Sequence, residues 1–301
     1  ILAIRFGSAT GAFHEAASST LQPTGGTPGF PRKLVYQYLM KDGSRYTDQA
    51  GYATKSFVDL VKDRDPRLAQ TIRTTGYHRI GRTDILAPDF SASTTGFQPI
   101  KFVQGPDGAG GQLDNKRSTC DMPVLRYGEA LLAYAEAKAE AGTLTQSDLD
   151  ISINLLRDRA GMPHMNLAQA NANPDPFLED PDFGYTNVTG SNKGVILEIR
   201  RERAVEFVME GQRMSDLLRW RAGYCLDQDI YGMYFPGPGE YDLTGDGVPD
   251  LYLYTSSQAK PSVKNAQVYQ IGSELILSNG NSGYTYYHKS QPRNGWNDYR
   301  D

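Results

Sequence analysis

At 301 residues the chain is long enough to bury a sizeable core, roughly three quarters of the surface its unfolded form exposes. Only 39% of it is hydrophobic, but 19 Tyr and 11 Phe exclude a disordered chain, so the 31 Gly and 17 Pro point to long ordered loops. A net charge of −4 without any basic run argues against a nucleic-acid partner, and no apolar stretch approaches the ~20 residues of a membrane-spanning helix.

Residues 1–121 are loop-rich, with short apolar pieces between Gly/Pro/Ser/Thr clusters such as "LQPTGGTPGFP". "ILAIRF" at the start has the look of a strand. "TKSFVDLVKDRDPR" predicts a helix from about Lys55 to Lys62 that stops before Pro66. "GPDGAGG" has no Lys-Ser/Thr after it and opens no apolar helix, so it is a turn-rich loop and not a phosphate cradle.

Residues 122–222 change character. "PVLRYGEALLAYAEAKAEAG" spaces Val124, Gly128, Leu131, Leu132, Ala135 and Ala139 as one narrow face of a helix, with Pro123 in its first turn and Gly142 at its end. "TQSDLDISINLLRDRAG" repeats the pattern with Leu149, Ile153, Leu156 and Ala160, stopped by Gly161. The short connection predicts an antiparallel pair, and small residues on the faces allow the close approach seen in tetratricopeptide-type helix pairs. "GVILEIRRERAVEFVMEGQRMSDLLRW" predicts a helix to about Met209, a break at Gly211, and a short helix to about Trp220.

In that third helix Glu198, Glu202, Glu206 and Glu210 form one row of carboxylates four residues apart. Like charges at this spacing repel. The row therefore needs cations, from Arg201, Arg203 and Arg213 nearby or from Arg126, Arg157 and Arg159 on the neighbouring helices. A dimetal or acid–base carboxylate site is one reading. An Arg/Glu network tying helices together is the other, favoured because Arg is interleaved throughout and no His accompanies the carboxylates.

Residues 223–301 are again loop-rich and dense in aromatics. Within them "YDLTGDGVPDL" places Asp242, Thr244, Asp246, the Val248 carbonyl and Asp250 at the 1-3-5-7-9 oxygen spacing of a calcium loop, with Gly247 at the sharp turn. The bidentate Glu expected at position 12 is replaced by Leu253, and the flanking "LYLY" reads as a strand and not as a helix. Structural Ca2+ in a strand hairpin and a metal-free Asp/Gly turn both remain open here. The two cysteines, Cys120 and Cys225, are too few for a disulfide scaffold or a zinc site; two separate thiols is the favoured state. The four His are scattered, with no metal-ligand spacing.

The central segment closely resembles the SusD/RagB family, surface nutrient-binding lipoproteins of Bacteroidetes outer membranes. The family pattern falls on Arg126–Ala137, Ile153–Pro163 and Glu198–Trp220 nearly without departure. "DPRLAQTI" resembles its Asp-Pro-Arg segment, "ILAIRF" the strand opening its C-terminal region, and "NGWNDYRD" the approach to its C-terminus. The resemblance implies a mainly α fold with extensive ordered loops and a few short strands, in which tetratricopeptide-type helix pairs pack on a loop-rich C-terminal region. It also implies that the family's N-terminal half, with its lipid-modified Cys, is missing from this sequence. The three segments 1–121, 122–222 and 223–301 then read as one domain.

The function implied by the resemblance is non-catalytic. Such a protein sits at the outer-membrane cell surface, lipid-anchored, captures oligosaccharides and delivers them to a SusC-like TonB-dependent transporter. Oligopeptide capture, as in the RagB branch, is the alternative, and a carboxylate-based glycoside hydrolase or a protein-binding helical adaptor are the rivals from other classes. No nucleophile motif or cofactor loop is present in the sequence. Sugar rings stack an apolar C–H face on aromatic rings, while Asp, Asn, Gln and Arg bind their hydroxyls. The expected ligand-binding residues are therefore the loop aromatics Tyr231, Tyr234, Phe235, Tyr241 and Trp296, whereas Tyr134 and Trp220, on helices, are expected to be structural.

Overall fold

The computed structural model describes residues 1–7, 9–105, 118–226 and 228–287. In chain order the elements are β1 (Leu2–Ile4), α1 (Ala16–Leu21), α2 (Arg32–Val35), α3 (Phe57–Val61), β2 (Met122–Leu125), α4 (Tyr127–Glu140), α5 (Gln146–Asp150), α6 (Ile153–Ala160), α7 (Leu167–Ala172), α8 (Lys193–Glu206), α9 (Gln212–Arg219), β3 (Tyr231–Phe235), β4 (Gly239–Tyr241), β5 (Leu251–Tyr254), β6 (Gln267–Gln270) and β7 (Gly283–Tyr286). Mixed helices with short strands are what the sequence implied, and the strands close no barrel: β1 pairs with β2, β3 with β7, and β5 lies between β4 and β6.

The strand in "ILAIRF" and the helix before Pro66 form where expected. Most of "GPDGAGG" lies outside the described residues. Two helix expectations need correction. Pro123 and Val124 belong to β2, where Val124 is half exposed, and the helix begins only after the extended Arg126. The second predicted helix is two. Thr145 and Asp148 cap each other at the start of α5, and the Ser152 hydroxyl then donates to the Asp148 carbonyl four residues back, so the run stops before α6 begins. Gly161 and Gly211 end α6 and start α9 in the left-handed region, where a side chain would strain the backbone.

Two apolar clusters form the interior. One is helical and includes Leu132, Ala135, Leu149, Ile153, Val195, Leu197, Ile199 and Trp220. The other joins the first and last segments of the chain and is aromatic: Tyr36, Tyr38, Tyr46, Phe57, Phe97, Met233 and Phe235 pack with Leu251 and Leu253. Helix α8 contributes to both, and every residue from Gly194 to Glu206 is buried. An all-round buried helix is normally apolar. This one carries charges because each is paired.

The carboxylate row is that pairing. Glu198 meets Arg201 at 3.1 Å; Glu202 meets Arg67 at 2.6 Å and Arg157 at 3.1 Å; Glu206 meets Arg126 at 2.6 Å and Arg159 at 2.7 Å; Glu210 meets Arg126 at 2.6 Å and Lys101 at 2.5 Å. Arg203 pairs instead with Asp216 at 2.7 Å, and Arg213 donates to the Tyr185 hydroxyl. The row is thus an Arg/Glu network holding helices and loops together. Trp220 is structural, as expected: it is 5% exposed and its ring N–H donates to Glu136 at 2.5 Å. Tyr134 stands half exposed and ties α4 to α5 through Asp148.

Candidate functional site

The described surface carries an aromatic cleft of about 380 Å3 where the first and last segments meet. Strand β3 supplies Tyr231 and is held in place by a close approach. A Cβ on Gly232 would lie 2.1 Å from the Thr95 carbonyl oxygen, to which the next amide, of Met233, donates at 2.9 Å. Only glycine allows that separation. Strand β7 pairs antiparallel with β3, Tyr286 opposite Tyr231 and Tyr284 opposite Tyr234. The rings of Tyr231 and Tyr286 lie 5.5 Å apart, and Tyr284 meets Tyr231 edge-on at 5.8 Å and Tyr234 at 5.6 Å.

Arg32, at the start of α2, lays its guanidinium over this ladder, 3.8 Å from the Tyr284 ring centre and 4.9 Å from that of Tyr231. Cation–π attraction holds the group against these rings. The Tyr284 hydroxyl is anchored by donating to the Ala53 carbonyl at 2.8 Å. Tyr231 donates to Asp229 at 3.1 Å; burial and this carboxylate both push its phenol above the usual range, so it remains an O–H donor at neutral pH. Tyr36, Tyr52, Phe177 and Phe183 complete the aromatic walls, and Asp180, Asp182, Gln228 and Lys33 add polar groups. Flat apolar faces beside convergent donors and acceptors suit a ligand with both kinds of surface.

Three of the other expected site residues come together elsewhere: Tyr234, Phe235 and Tyr241 line another cleft, of about 340 Å3, beside Asp242 and Ser56. Phe235, expected to be exposed, is a core residue: it is 2% exposed and wedged between Phe90 and Tyr241, because β3 turns its Met233 and Phe235 side inward. Tyr241 is half-buried and donates to the Gly237 carbonyl. Trp296 lies outside the described residues. Arg32, Tyr36, Tyr52 and Tyr284 were missed by the sequence reading. For Tyr284 and Tyr286 the alternation in "GYTYY" was the available clue; Arg32 and Tyr36 carry none, since the fold alone brings them beside β3.

The Asp242–Asp250 segment is a tight turn between β4 and β5. Asp242 accepts the amides of Thr244, Gly245 and Gly247 at 3.0, 2.6 and 2.8 Å, and Asp250 accepts those of Leu243 and Thr244 at 2.8 and 2.9 Å. Burial pushes the Asp242 carboxyl up, and these amides outweigh it and hold the group below the usual range. The oxygens are hard donors of the right kind for calcium, but in this geometry they turn onto backbone amides. No three acidic, His or Cys groups are gathered for a metal among the described residues. Cys120 and Cys225 are separate thiols.

A helical core thus carries an aromatic, polar-rimmed surface cleft. The chain belongs to the SusD family, whose family model matches residues 15–288. Its fold is similar to that of a SusD-like carbohydrate-binding protein from Bacteroides fragilis, with 22% identity and a TM-score of 0.54 over 93% of this chain and 54% of that one. A second SusD-like protein from the same organism matches with 21% identity and a TM-score of 0.46, over 68% of this chain and 38% of that one. The chain thus spans about half the length of the first of these structures. No curated protein sequence matches it.

Proposed function

We propose that this chain is the ligand-capturing part of a cell-surface, lipid-anchored outer-membrane protein that binds oligosaccharides and passes them to a SusC-like TonB-dependent transporter. The observation that carries the reading is the cleft itself: Tyr231 beside Arg32, with Asp180, Asp229 and Gln228 alongside. Aromatic faces take the C–H face of a pyranose and the polar rim takes its hydroxyls. Support comes also from the related structure that is described as carbohydrate-binding.

The role is non-catalytic. In support of this, the row of carboxylates on α8 is taken up by arginines: Glu202 pairs with Arg67 and Arg157, and Glu206 with Arg126. Calcium is proposed for the Asp242–Asp250 turn on its oxygen spacing, as a clamp on the β4–β5 hairpin next to Tyr241. The experiment that tests the main reading is calorimetric titration with a panel of oligosaccharides and oligopeptides, with product analysis alongside. Micromolar-range glycan binding without cleavage supports it; binding of peptides alone transfers the cleft to the RagB-type role, and cleavage products overturn it.

A further inference from the structure

Tyr231 and Tyr234 stand three positions apart on β3, and in a regular strand that spacing would send them to opposite faces. The register prevents it. Tyr231 lies opposite Tyr286 and Tyr234 opposite Tyr284, so three steps along β3 match two along β7. The extra residue is a bulge, which brings the later side chain back to the side of the first. Burial agrees: Tyr231 and Tyr234 are half-buried, whereas Gly232, Met233 and Phe235 are buried. On β7, Tyr284 and Tyr286 are half-buried, and Gly283 and Thr285 are buried. All four tyrosines therefore share the outer face of the β3–β7 ribbon.

Tyr284 stands between the two on β3, edge-on to Tyr231 at 5.8 Å and to Tyr234 at 5.6 Å. Tyr231 lines the aromatic cleft, and Tyr234 lines the cleft of about 340 Å3. One turn borders both: Tyr52 and Ala53 the first, Thr54 the second. The second cleft has the same mixture of surfaces as the first. Tyr234 and Tyr241 give aromatic rings, and Thr54, Ser56 and Asp242 give hydroxyls and a carboxylate. Among the described residues the Tyr234 hydroxyl has no hydrogen-bond partner, and it is not sealed from solvent. It is free for a ligand, unlike the Tyr241 hydroxyl, which donates to the Gly237 carbonyl.

We infer that the second cleft is a further sugar subsite, and that the two clefts are the ends of one track along β3, on either side of Tyr284. This rests on the glycan reading of the first cleft and adds the class of glycan: a chain of several units, not a mono- or disaccharide. A short ligand reaches only one cleft. Joining two subsites through one ligand makes the second contact intramolecular, so affinity grows with chain length until both are filled.

Calorimetric titration of the full chain with β-1,4-glucose, β-1,4-xylose and α-1,4-glucose oligomers, each of two and of six units, tests this. In a series that binds, the longer oligomer is expected to bind about tenfold or more tightly than the shorter, with one molecule per chain. Tyr234→Ala is expected to remove that gain, and Tyr234→Phe, which keeps the ring, to retain it. Equal affinity at both lengths, or a gain that survives Tyr234→Ala, overturns the track and leaves the glycan reading of the first cleft standing. Two long oligomers per chain would make the clefts separate sites and likewise overturns the track. Absence of binding in every series overturns both.

Discussion

Arg67 and Glu202 are 135 residues apart in the chain and meet at 2.6 Å in the interior. The same guanidinium holds Asp65 at 2.7 Å and Glu206 at 3.0 Å. One side chain from the Asp-Pro-Arg loop thus joins the aromatic half of the protein to the central helix. Truncating it would leave three buried carboxylates, Asp65, Glu202 and Glu206, short of a partner. Arg67→Ala is expected to lower stability by about 3–5 kcal/mol, read from a urea unfolding midpoint. A loss below ~1 kcal/mol would show that the pair is not what couples the two halves.

Acid should find the same network. Burial raises the Glu202 carboxyl, but Arg67 and Arg157 outweigh it and bring it down to about 2 from an unfolded value of 4.5. A depressed carboxylate contributes stability above the unfolded value, and that contribution disappears as pH falls from about 4.5 to about 2. Unfolding temperature is therefore expected to drop across that window, and Glu202→Gln is expected to start lower at neutral pH and to flatten this limb. A Gln variant with the unaltered acid profile would assign the loss to other groups.

Gly232 sets the position of β3. An added methyl would meet the Thr95 carbonyl at 2.1 Å and the Thr285 hydroxyl at 2.2 Å, neither of which is the free end of a long side chain. Gly232→Ala is expected to cost about 1–3 kcal/mol and to displace Tyr231 from its place beside Arg32. Thermal unfolding measures the first effect and glycan titration the second. Unchanged stability would mean that the strand can move away from Thr95 freely.

The Asp242–Asp250 turn separates two states by a simple comparison. If calcium clamps it, adding the ion raises the unfolding temperature, a chelator reverses the rise, and Asp250→Ala removes the response. No response to calcium, with Asp250→Ala still lowering stability by about 1 kcal/mol, would leave a turn held only by its amides.

The helices were legible because apolar residues recur at helical spacing and glycines stop them: Gly161 and Gly211 fall where the breaks were expected. The split at Ser152 was not, since a hydroxyl bonding back to the Asp148 carbonyl leaves the apolar period of Leu149, Ile153 and Leu156 intact. The carboxylate row announced its need for cations, and Arg126, Arg157, Arg159 and Arg201 supply them. Arg67 and Lys101 also do so, from loops no local pattern connects to α8. The site was the least legible part. Tyr231 was found from composition, whereas Phe235, two pairs along the same strand, turned out to be core, because a five-residue strand without clean alternation does not reveal its inner face. Arg32, Tyr36 and Tyr52 reach the cleft through the tertiary fold alone.

The central claim is that the cleft between Arg32 and Tyr231 captures sugars. Its most direct test is calorimetric titration of the oligosaccharide that binds best in the panel, repeated with Tyr231→Ala and with Arg32→Ala. Each substitution is expected to weaken binding by about tenfold or more, ~1.4 kcal/mol, with the unfolding temperature nearly unchanged. Undiminished affinity in both variants would place glycan capture elsewhere on the molecule and contradict the account.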